Sequence, residues 1–449
     1  MSGIAEVLLA LGCRVSGSDR KRSDVTERLT SLGAEVREGH SAHNLDLLDG
    51  ELDVVVTSSA VSTSNPEVAA AHARGIPVIR RAEMLAELMR LRYGIAIAGA
   101  HGKTTTSSLI ATVLHHAGLD PTAIIGGKLP SLGSNARLGH SEYLVAEADE
   151  SDGSFLHLMP TVAVVTNIDP EHLDHYGDFE RLLAAFRDFI DKVPFFGRAV
   201  LCLDHPAVRT MIPTVTKKVI TYGLSLGASY RAEELLFSGL SSRFVALRHG
   251  ERLGPVEIPM PGAHNVQNAL AALAVADFLG IPFATFQDAV RSFGGVGRRF
   301  TVRGRIISDG DEIMVVDDYG HHPAEVRATL SGARTGFPGR RLVVAFQPHR
   351  YTRTRDLLDE FGRAFDDADE VVISEVYAAS ETPIPGVSGA VLADRIRAHG
   401  HRSVHFVPDR AALASELARL VRPGDIVLTL GAGDISQTAG ELLTLLAGR

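Results

Sequence analysis

Residues 98–106 read Ala98-Gly99-Ala100-His101-Gly102-Lys103-Thr104-Thr105-Thr106. The apolar run Gly94-Ile95-Ala96-Ile97-Ala98 leads into them, and a segment of helical period continues to about His115. The stretch is therefore the turn between a buried strand and a helix. Its glycines let backbone N–H groups wrap an anion, and the helix N-terminus adds free donors and partial positive charge. Lys103 supplies a point charge, and Thr104 a hydroxyl suited to Mg²⁺. This is a phosphate loop for a nucleoside triphosphate. It departs from the general G-x-x-x-x-G-K-[ST] spacing, because Ile97 stands where the first glycine falls and Gly99 replaces it two positions later.

Outward from this turn, Val- and Ile-rich runs alternate with helical segments in both directions, the pattern of parallel sheets covered by helices. The class is α/β, and 449 residues at roughly 150 per domain suggest three domains. Residues 1–92 read as a Rossmann-like N-terminal domain, with strands near 14–16, 53–57 and 77–79 and a helix near 25–31. Residues 93–296 read as a central P-loop-type ATPase domain with a mostly parallel sheet. Its strands fall at 94–98, 143–147, 162–166 and 199–203, followed by an antiparallel patch between 222 and 259 and a helix at 266–279. Residues 297–449 read as a second Rossmann-like domain, with strands at 313–317, 342–346, 371–374, 404–407 and 426–430. The first segment opens on a helix, whereas a doubly wound unit opens on a strand and a glycine-rich turn. The expectation is that the fold starts differently here or that its first strand is missing.

Composition narrows the function classes. The chain is 45% hydrophobic and 22% charged, an ordinary globular balance. Lys and Arg number 45 against 54 for Asp and Glu, so the net charge of -9 gives no support to general binding of nucleic acid or an anionic membrane. Cys13 and Cys202 stand alone, without disulfide or zinc spacing, which reads as a reducing cytoplasm. No apolar run reaches the ~18 residues of a spanning helix.

Five further constellations sit where ligands bind, at strand C-termini or helix starts. Glu147, Asp149, Glu150 and Asp152 follow one strand, and Glu147 is the first choice for a metal ligand beside the phosphate loop. Thr166-Asn167-Ile168-Asp169-Pro170-Glu171-His172 follows the next, with His172 a candidate for a second cation or simply a helix cap. Asn265 and Asn268 open an apolar helix, where Asn265 either caps it or reads a purine edge. Asp317-Asp318-Tyr319-Gly320-His321-His322-Pro323 and Gln347-Pro348-His349-Arg350-Tyr351-Thr352-Arg353 follow two strands of the last segment, and Arg350, Arg353 and Arg355 either suit a carboxylate or phosphate or are solvated charges at a helix start.

Taken in order, G-A-H-G-K-T-T, E-A-D-E-S-D, T-N-I-D-P-E-H-L-D, H-N-V-Q-N, D-D-Y-G-H-H-P and F-Q-P-H-R-Y-T-R-T resemble the Mur ligases, the ATP-dependent amide-forming enzymes of peptidoglycan synthesis, over essentially the whole chain. The resemblance implies ATP as co-substrate, two Mg²⁺ sites that also accept Mn²⁺, and L-alanine joined to the carboxylate of UDP-N-acetylmuramate through an acyl phosphate. It implies that Gly99, His101, Gly102, Lys103, Thr104 and Thr105 hold the phosphates. The metals fall to Thr104, Glu147 and His172, and adenine to Asn265 and Asn268, with Asp317 and Tyr319 closing on the nucleotide. Ser18, Asp19, the Ser58-Ser59-Ala60-Val61 turn and Arg81 face the uridine nucleotide, while Asn135 and Arg137 line the sugar. His349, Arg350 and Tyr351 orient its carboxylate or the amino acid, so Lys103, His172, His349 and Arg350 carry the catalytic assignments. A cytoplasmic monomer or homodimer is implied, with no nucleic-acid partner. The absent opening strand and glycine-rich turn imply weakened UDP-sugar binding and stability. A tripeptide-recycling ligase of the same family and a P-loop regulatory NTPase are the competing readings.

Overall fold

The computed structural model describes residues 1–58, 61–129 and 134–448, and leaves the side chains of 127–129, 134 and 135 undescribed. The chain divides into two compact units: residues 1–233, 245–256 and 267–294 form the first, and 234–244, 257–266 and 295–449 the second.

The first unit begins with two separate parallel pairs. Strand β1 (Ser16–Asp19) pairs with β2 (Glu35–Glu38), and β3 (Val55–Thr57) pairs with β4 (Val78–Arg80). A single Rossmann-type sheet is the sequence expectation, and the pairs differ from it because no described strand joins them. Strand β1 also starts two residues later than the apolar pattern predicts, and β2 carries one apolar residue, Val36, too few for periodicity to reveal.

The large sheet contains β5 (Tyr93–Ala98), β6 (Thr122–Leu129), β7 (Ser134–Arg137), β8 (Tyr143–Glu147), β9 (Val162–Val165), β10 (Arg198–Cys202), β11 (Val219–Gly223), β12 (Tyr230–Ser238), β13 (Ser241–Arg248) and β14 (Glu251–Ile258). Their order is β14-β13-β12-β11-β10-β9-β5-β8-β6-β7. The antiparallel patch expected after residue 222 begins one strand later, since β11 pairs with β12 in parallel.

Strand β5 lies between β8 and β9, with Ile95 opposite both Val145 and Val162. All three are parallel, so the loops that leave their C-terminal ends lie side by side. Ile95, Ile97, Val145 and Val164 are wholly buried, each aliphatic side chain contributing roughly 1.5–3 kcal/mol on burial. Helix Lys103–His116 packs back on this sheet, with Leu109, Ile110, Val113 and Leu114 buried, which fixes its N-terminus at the loop edge.

The second unit holds β15 (Thr301–Ser308), β16 (Asp311–Asp318), β17 (Leu342–Phe346), β18 (Glu370–Ser374), β19 (Val404–Val407) and β20 (Ile426–Leu430). The order is β15-β16-β20-β17-β18-β19, parallel except for β15. Strands β17, β19 and β20 have the bounds that the apolar runs predict.

Candidate active site

The phosphate loop takes its shape from two glycines and from the neighbouring strand end. Gly99 has φ +131°, and a Cβ there would lie 2.2 Å from Thr166 Oγ1 and 2.9 Å from the Asn167 carbonyl oxygen. Glycine is thus required at 99, where the chain crosses β9, while Ile97 two residues earlier is core. Gly102, at φ +81°, precedes the helix and faces Asn268, whose Oδ1 would lie 2.9 Å from a Cβ. The loop is pinned from the end of β9. Thr166 Oγ1 donates to the His101 carbonyl (2.6 Å), Asn167 Nδ2 donates to the same oxygen (2.9 Å), and the His101 N–H donates to Asn167 Oδ1 (2.8 Å).

Lys103 is enclosed. Its Nζ donates to both oxygens of Glu150 (3.0 and 2.9 Å) and to the Gly99 carbonyl (2.6 Å). Burial alone would push the ammonium pKa down, but Glu150, Asp149 and Glu147 outweigh it and hold Lys103 above its ordinary value, charged. Glu147 lies on the other flank: it accepts from the Gly126 N–H (2.7 Å) and from Ser107 Oγ (3.4 Å), one turn beyond Thr104. Thr104 and Thr105 occupy the first turn of the helix.

A second polar cluster lies beyond β9. His101 Nε2 is 3.1 Å from Asp169 Oδ2, and His205 Nε2 is 3.2 Å from Asp169 Oδ1. The Ile168 N–H donates to His205 Nδ1 (3.4 Å), which leaves Nε2 as the ring donor to the carboxylate. Burial opposes ionisation of Asp169, yet hydrogen bonds from His101 and His205 hold its pKa well below the usual carboxylate range. His172, at φ +58°, starts the short helix Leu173–Tyr176, and its Nε2 is 3.6 Å from Glu171.

The asparagines separate. Asn268 is 7% exposed, and its Oδ1 accepts from Thr106 Oγ1 (3.1 Å), tying its helix to the phosphate-loop helix. Asn265 does not cap its helix, which already begins at Ala263. Its Nδ2 donates backward to the Pro261 carbonyl (2.8 Å), the reverse of a capping bond.

In the second unit, Asp317 is wholly buried between Arg298 Nε (3.1 Å) and Thr429 Oγ1 (3.0 Å), so here it anchors Arg298 and is turned away from solvent. Tyr319 is 36% exposed, with Arg298 and Arg299 over its ring at 5.1 and 5.3 Å. His349 stacks on Tyr377 (5.5 Å, 11°) and meets the edge of His321 (5.7 Å). Burial first, then His321, Arg353 and Arg350, push His349 down to about 4, neutral at physiological pH. Arg350 is exposed at φ +72°, and Tyr351 opens the helix Tyr351–Asp356 beside it.

The remaining assigned residues lie in the first unit. Ser18 donates to Glu67 (2.7 Å) and meets His40 Nδ1 (2.9 Å), while Asp19 is exposed next to it. The Ser58 carbonyl accepts from the Val61 N–H (3.0 Å), and Arg81 opens the helix Arg81–Arg90. Arg137 donates to Asp120 (2.5 Å) and meets His115 (3.0 Å). Ser59, Ala60 and the Asn135 side chain lie outside the described residues.

Sequence reasoning missed Glu150 as the lysine's partner, Asp169 and His205 as supports of the loop, and Arg298 and Tyr377 as neighbours of Asp317 and His349. Only the acidic run and the T-N-I-D motif carried any signal for them.

With this geometry in place, comparison with known proteins is decisive. Three family models cover the chain in sequence: "Mur ligase family, catalytic domain" matches residues 1–93, "Mur ligase middle domain" 97–276, and "Mur ligase, glutamate ligase domain" 298–433. The chain belongs to the Mur ligase family. This Mur ligase is 59% identical over 446 residues to a UDP-N-acetylmuramate–L-alanine ligase of Anaeromyxobacter sp. (strain Fw109-5), covering 99% of this chain and 95% of that one. It is 58% identical to the same-named protein of Myxococcus xanthus, over 99% and 93% of the two chains. Among solved structures, the UDP-N-acetylmuramate–alanine ligase of Thermotoga maritima superposes with a TM-score of 0.82 at 29% identity, covering 100% of this chain and 96% of that one. The three-domain α/β fold of the family is therefore the fold of this chain.

Proposed function

We propose that this Mur ligase joins L-alanine to the carboxylate of UDP-N-acetylmuramate with cleavage of ATP to ADP and phosphate, a step of peptidoglycan synthesis. The observation that carries the reading is near-full-length identity of 58–59% to proteins of that named activity, combined with a built phosphate loop at the C-terminal edge of a parallel sheet. We place the domain boundaries at 92/93 and 296/297 and the site of action in the cytoplasm. Among the described residues, no helix is long and apolar enough to cross a membrane.

A carboxylate is a poor acyl donor, and amide formation requires its activation. In the proposed course the sugar carboxylate attacks the γ-phosphorus of ATP, ADP leaves, and an acyl phosphate forms. The amine of L-alanine then attacks the acyl carbon, and the tetrahedral intermediate expels phosphate. Two anions must approach in the first step, so positive charge and N–H donors are the main requirement. Lys103 supplies the charge, and the backbone N–H groups at the start of helix Lys103–His116 supply donors. Thr166, Asn167 and Asn268 keep that cradle in register through the contacts described above.

The donor set fits a magnesium ion: the Thr104 hydroxyl and the Glu147 carboxylate are hard oxygen ligands on one flank of the loop, and His172 with its neighbouring carboxylates suits a second divalent cation. Such ions supply charge neutralisation to the polyphosphate. His349, neutral and stacked on Tyr377, and Arg350 beside it are assigned to recognition of the sugar carboxylate or the amino acid.

The test is phosphate release in the presence of ATP, UDP-N-acetylmuramate and L-alanine, serine or glycine in turn. Release that requires both the sugar nucleotide and L-alanine supports the ligase. Release independent of both assigns the chain to the regulatory NTPases.

A further inference from the structure

We infer that Glu150 is a positioning residue that competes with the nucleotide's phosphates for the Lys103 ammonium and so sets nucleotide affinity. The inference rests on the proposed use of ATP only in taking residues 99–104 as the nucleotide's cradle.

An ammonium has three N–H donors and no others. At Lys103, Glu150 engages it through both carboxylate oxygens at 3.0 and 2.9 Å, and two carbonyls of the phosphate loop share the remaining donor, Gly99 at 2.6 Å and Ala100 at 3.5 Å. A phosphate oxygen that is to reach Nζ must take a donor from Glu150, because the Gly99 carbonyl belongs to the loop itself. Carboxylate and phosphate oxygens are both anionic acceptors and draw on the same donors.

The position of Glu150 is built independently of the lysine. Its own carbonyl accepts from Tyr176 Oη (2.6 Å) and from the Gly153 N–H (3.1 Å). On either side, Asp149 Oδ1 accepts from the Ser151 N–H (3.1 Å), and Asp152 Oδ1 from the Ser154 N–H (3.0 Å). The Glu150 side chain is 3% exposed, so the carboxylate has little room to swing into solvent. Any phosphate on Lys103 therefore has a buried like charge as its neighbour. Glu147, in contrast, bonds Gly126 and Ser107. The two glutamates three residues apart thus divide the work: one faces the metal flank, the other the lysine. After phosphoryl transfer, Glu150 reclaims Lys103 and favours release of ADP.

The experiment measures ADP and a non-hydrolysable ATP analogue binding by titration calorimetry, without sugar or amino acid, on the wild type and four variants. Glu150→Gln keeps the shape and removes the charge; it should tighten ADP binding by roughly tenfold, one power of ten being the scale of a single partly buried charge interaction. Glu150→Asp retains the charge and should stay nearer the wild type. In a Lys103→Met background the gain should vanish, so Lys103→Met and Lys103→Met/Glu150→Gln should bind alike; tighter binding by the double variant overturns the inference even if the single Gln variant fails to fold. Affinity of Glu150→Gln unchanged within twofold, or weakened, overturns the inference, as does a gain that persists without Lys103. Binding is read apart from turnover. A wild type that binds ADP but releases no phosphate with sugar nucleotide and L-alanine would remove the ligase reading and leave this one standing.

Discussion

Gly99→Ala is the substitution whose consequences the geometry states most fully. The added Cβ would sit 2.2 Å from Thr166 Oγ1, 2.9 Å from the Asn167 carbonyl oxygen and 3.0 Å from the Asn167 nitrogen. Two of those atoms are backbone. The third is held, because Thr166 Oγ1 donates to the His101 carbonyl at 2.6 Å and lies 3.3 Å from the Ala98 carbonyl. The loop, rather than its neighbour, must move. Forcing a non-glycine residue into that positive-φ region costs about 1–3 kcal/mol, and loss of the Thr166 bond adds about 1 kcal/mol. If that 2–4 kcal/mol falls on the phosphate-binding conformation, ADP affinity should drop by roughly 30- to 1000-fold. The global melting temperature should change far less, since the strain lies in one loop of a large unit. Calorimetric titration with ADP and a thermal melt measure both quantities. Gly440→Ala is the control: Gly440 has open space around it, lies in helix Ser436–Ala447, and gains up to about 1 kcal/mol of helix stability from alanine. If Gly99→Ala binds ADP within twofold of the wild type, the claim that Gly99 is required by the crossing with β9 is wrong.

Arg298→Ala leaves the wholly buried Asp317 carboxylate without its ion pair and should cost about 3–5 kcal/mol in chemical denaturation, whereas Arg298→Ala with Asp317→Asn should recover part of that loss. Asn268→Ala should weaken nucleotide binding by about 1 kcal/mol, and a double-mutant cycle with Thr106→Val should show the two effects to be non-additive. Asp169, with its pKa held down in the folded state, stabilises the protein above the unfolded carboxylate pKa and loses that contribution only as pH falls through its depressed value; Asp169→Asn should therefore destabilise by about 2 kcal/mol at pH 7, and the difference from wild type should shrink only in strong acid. His349, and His264 in the first turn of helix Ala263–Phe278, where desolvation and then Arg299 act on it, both have pKa values lowered to about 4, so their protonation disfavours the fold: stability should fall as pH drops from 6.5 towards 4, and His349→Gln should flatten that slope in pH-dependent melts.

Much of this architecture was legible because parallel strands buried on both faces are continuous apolar runs. The strands Tyr143–Glu147, Leu342–Phe346 and Ile426–Leu430 follow such runs to the residue, and the half-buried edge strand Val404–Val407 keeps three apolar residues in four. Strand Glu35–Glu38 was not legible, since its side chains are largely exposed and Val36 is its one apolar residue. The phosphate loop was readable from residue type and spacing because its chemistry depends on backbone N–H groups, glycines and one lysine. Choice among the four acids that follow β8 was not, because a loop has no period from which to deduce direction. Sequence order favoured Glu147, the residue at the strand end, and only the fold reveals that Glu150 reaches back to Lys103. The same holds for Asp317 and Asp318: both look like ligands at a strand terminus, yet both are buried, Asp317 on Arg298 and Asp318 on the N–H groups of Phe300 and Gly320. Asn265 and Asn268 looked equivalent by spacing. A purine contact and an internal brace need the same amide, and only the surroundings distinguish them.

The most direct test of the central claim, that the sugar carboxylate is activated by phosphorylation, uses UDP-N-acetylmuramate labelled with ¹⁸O in its carboxylate, incubated with ATP and L-alanine. Mass analysis of the released phosphate should find one carboxylate oxygen carried into it for each amide formed. Phosphate that carries no label, its new oxygen drawn from water, would contradict the account.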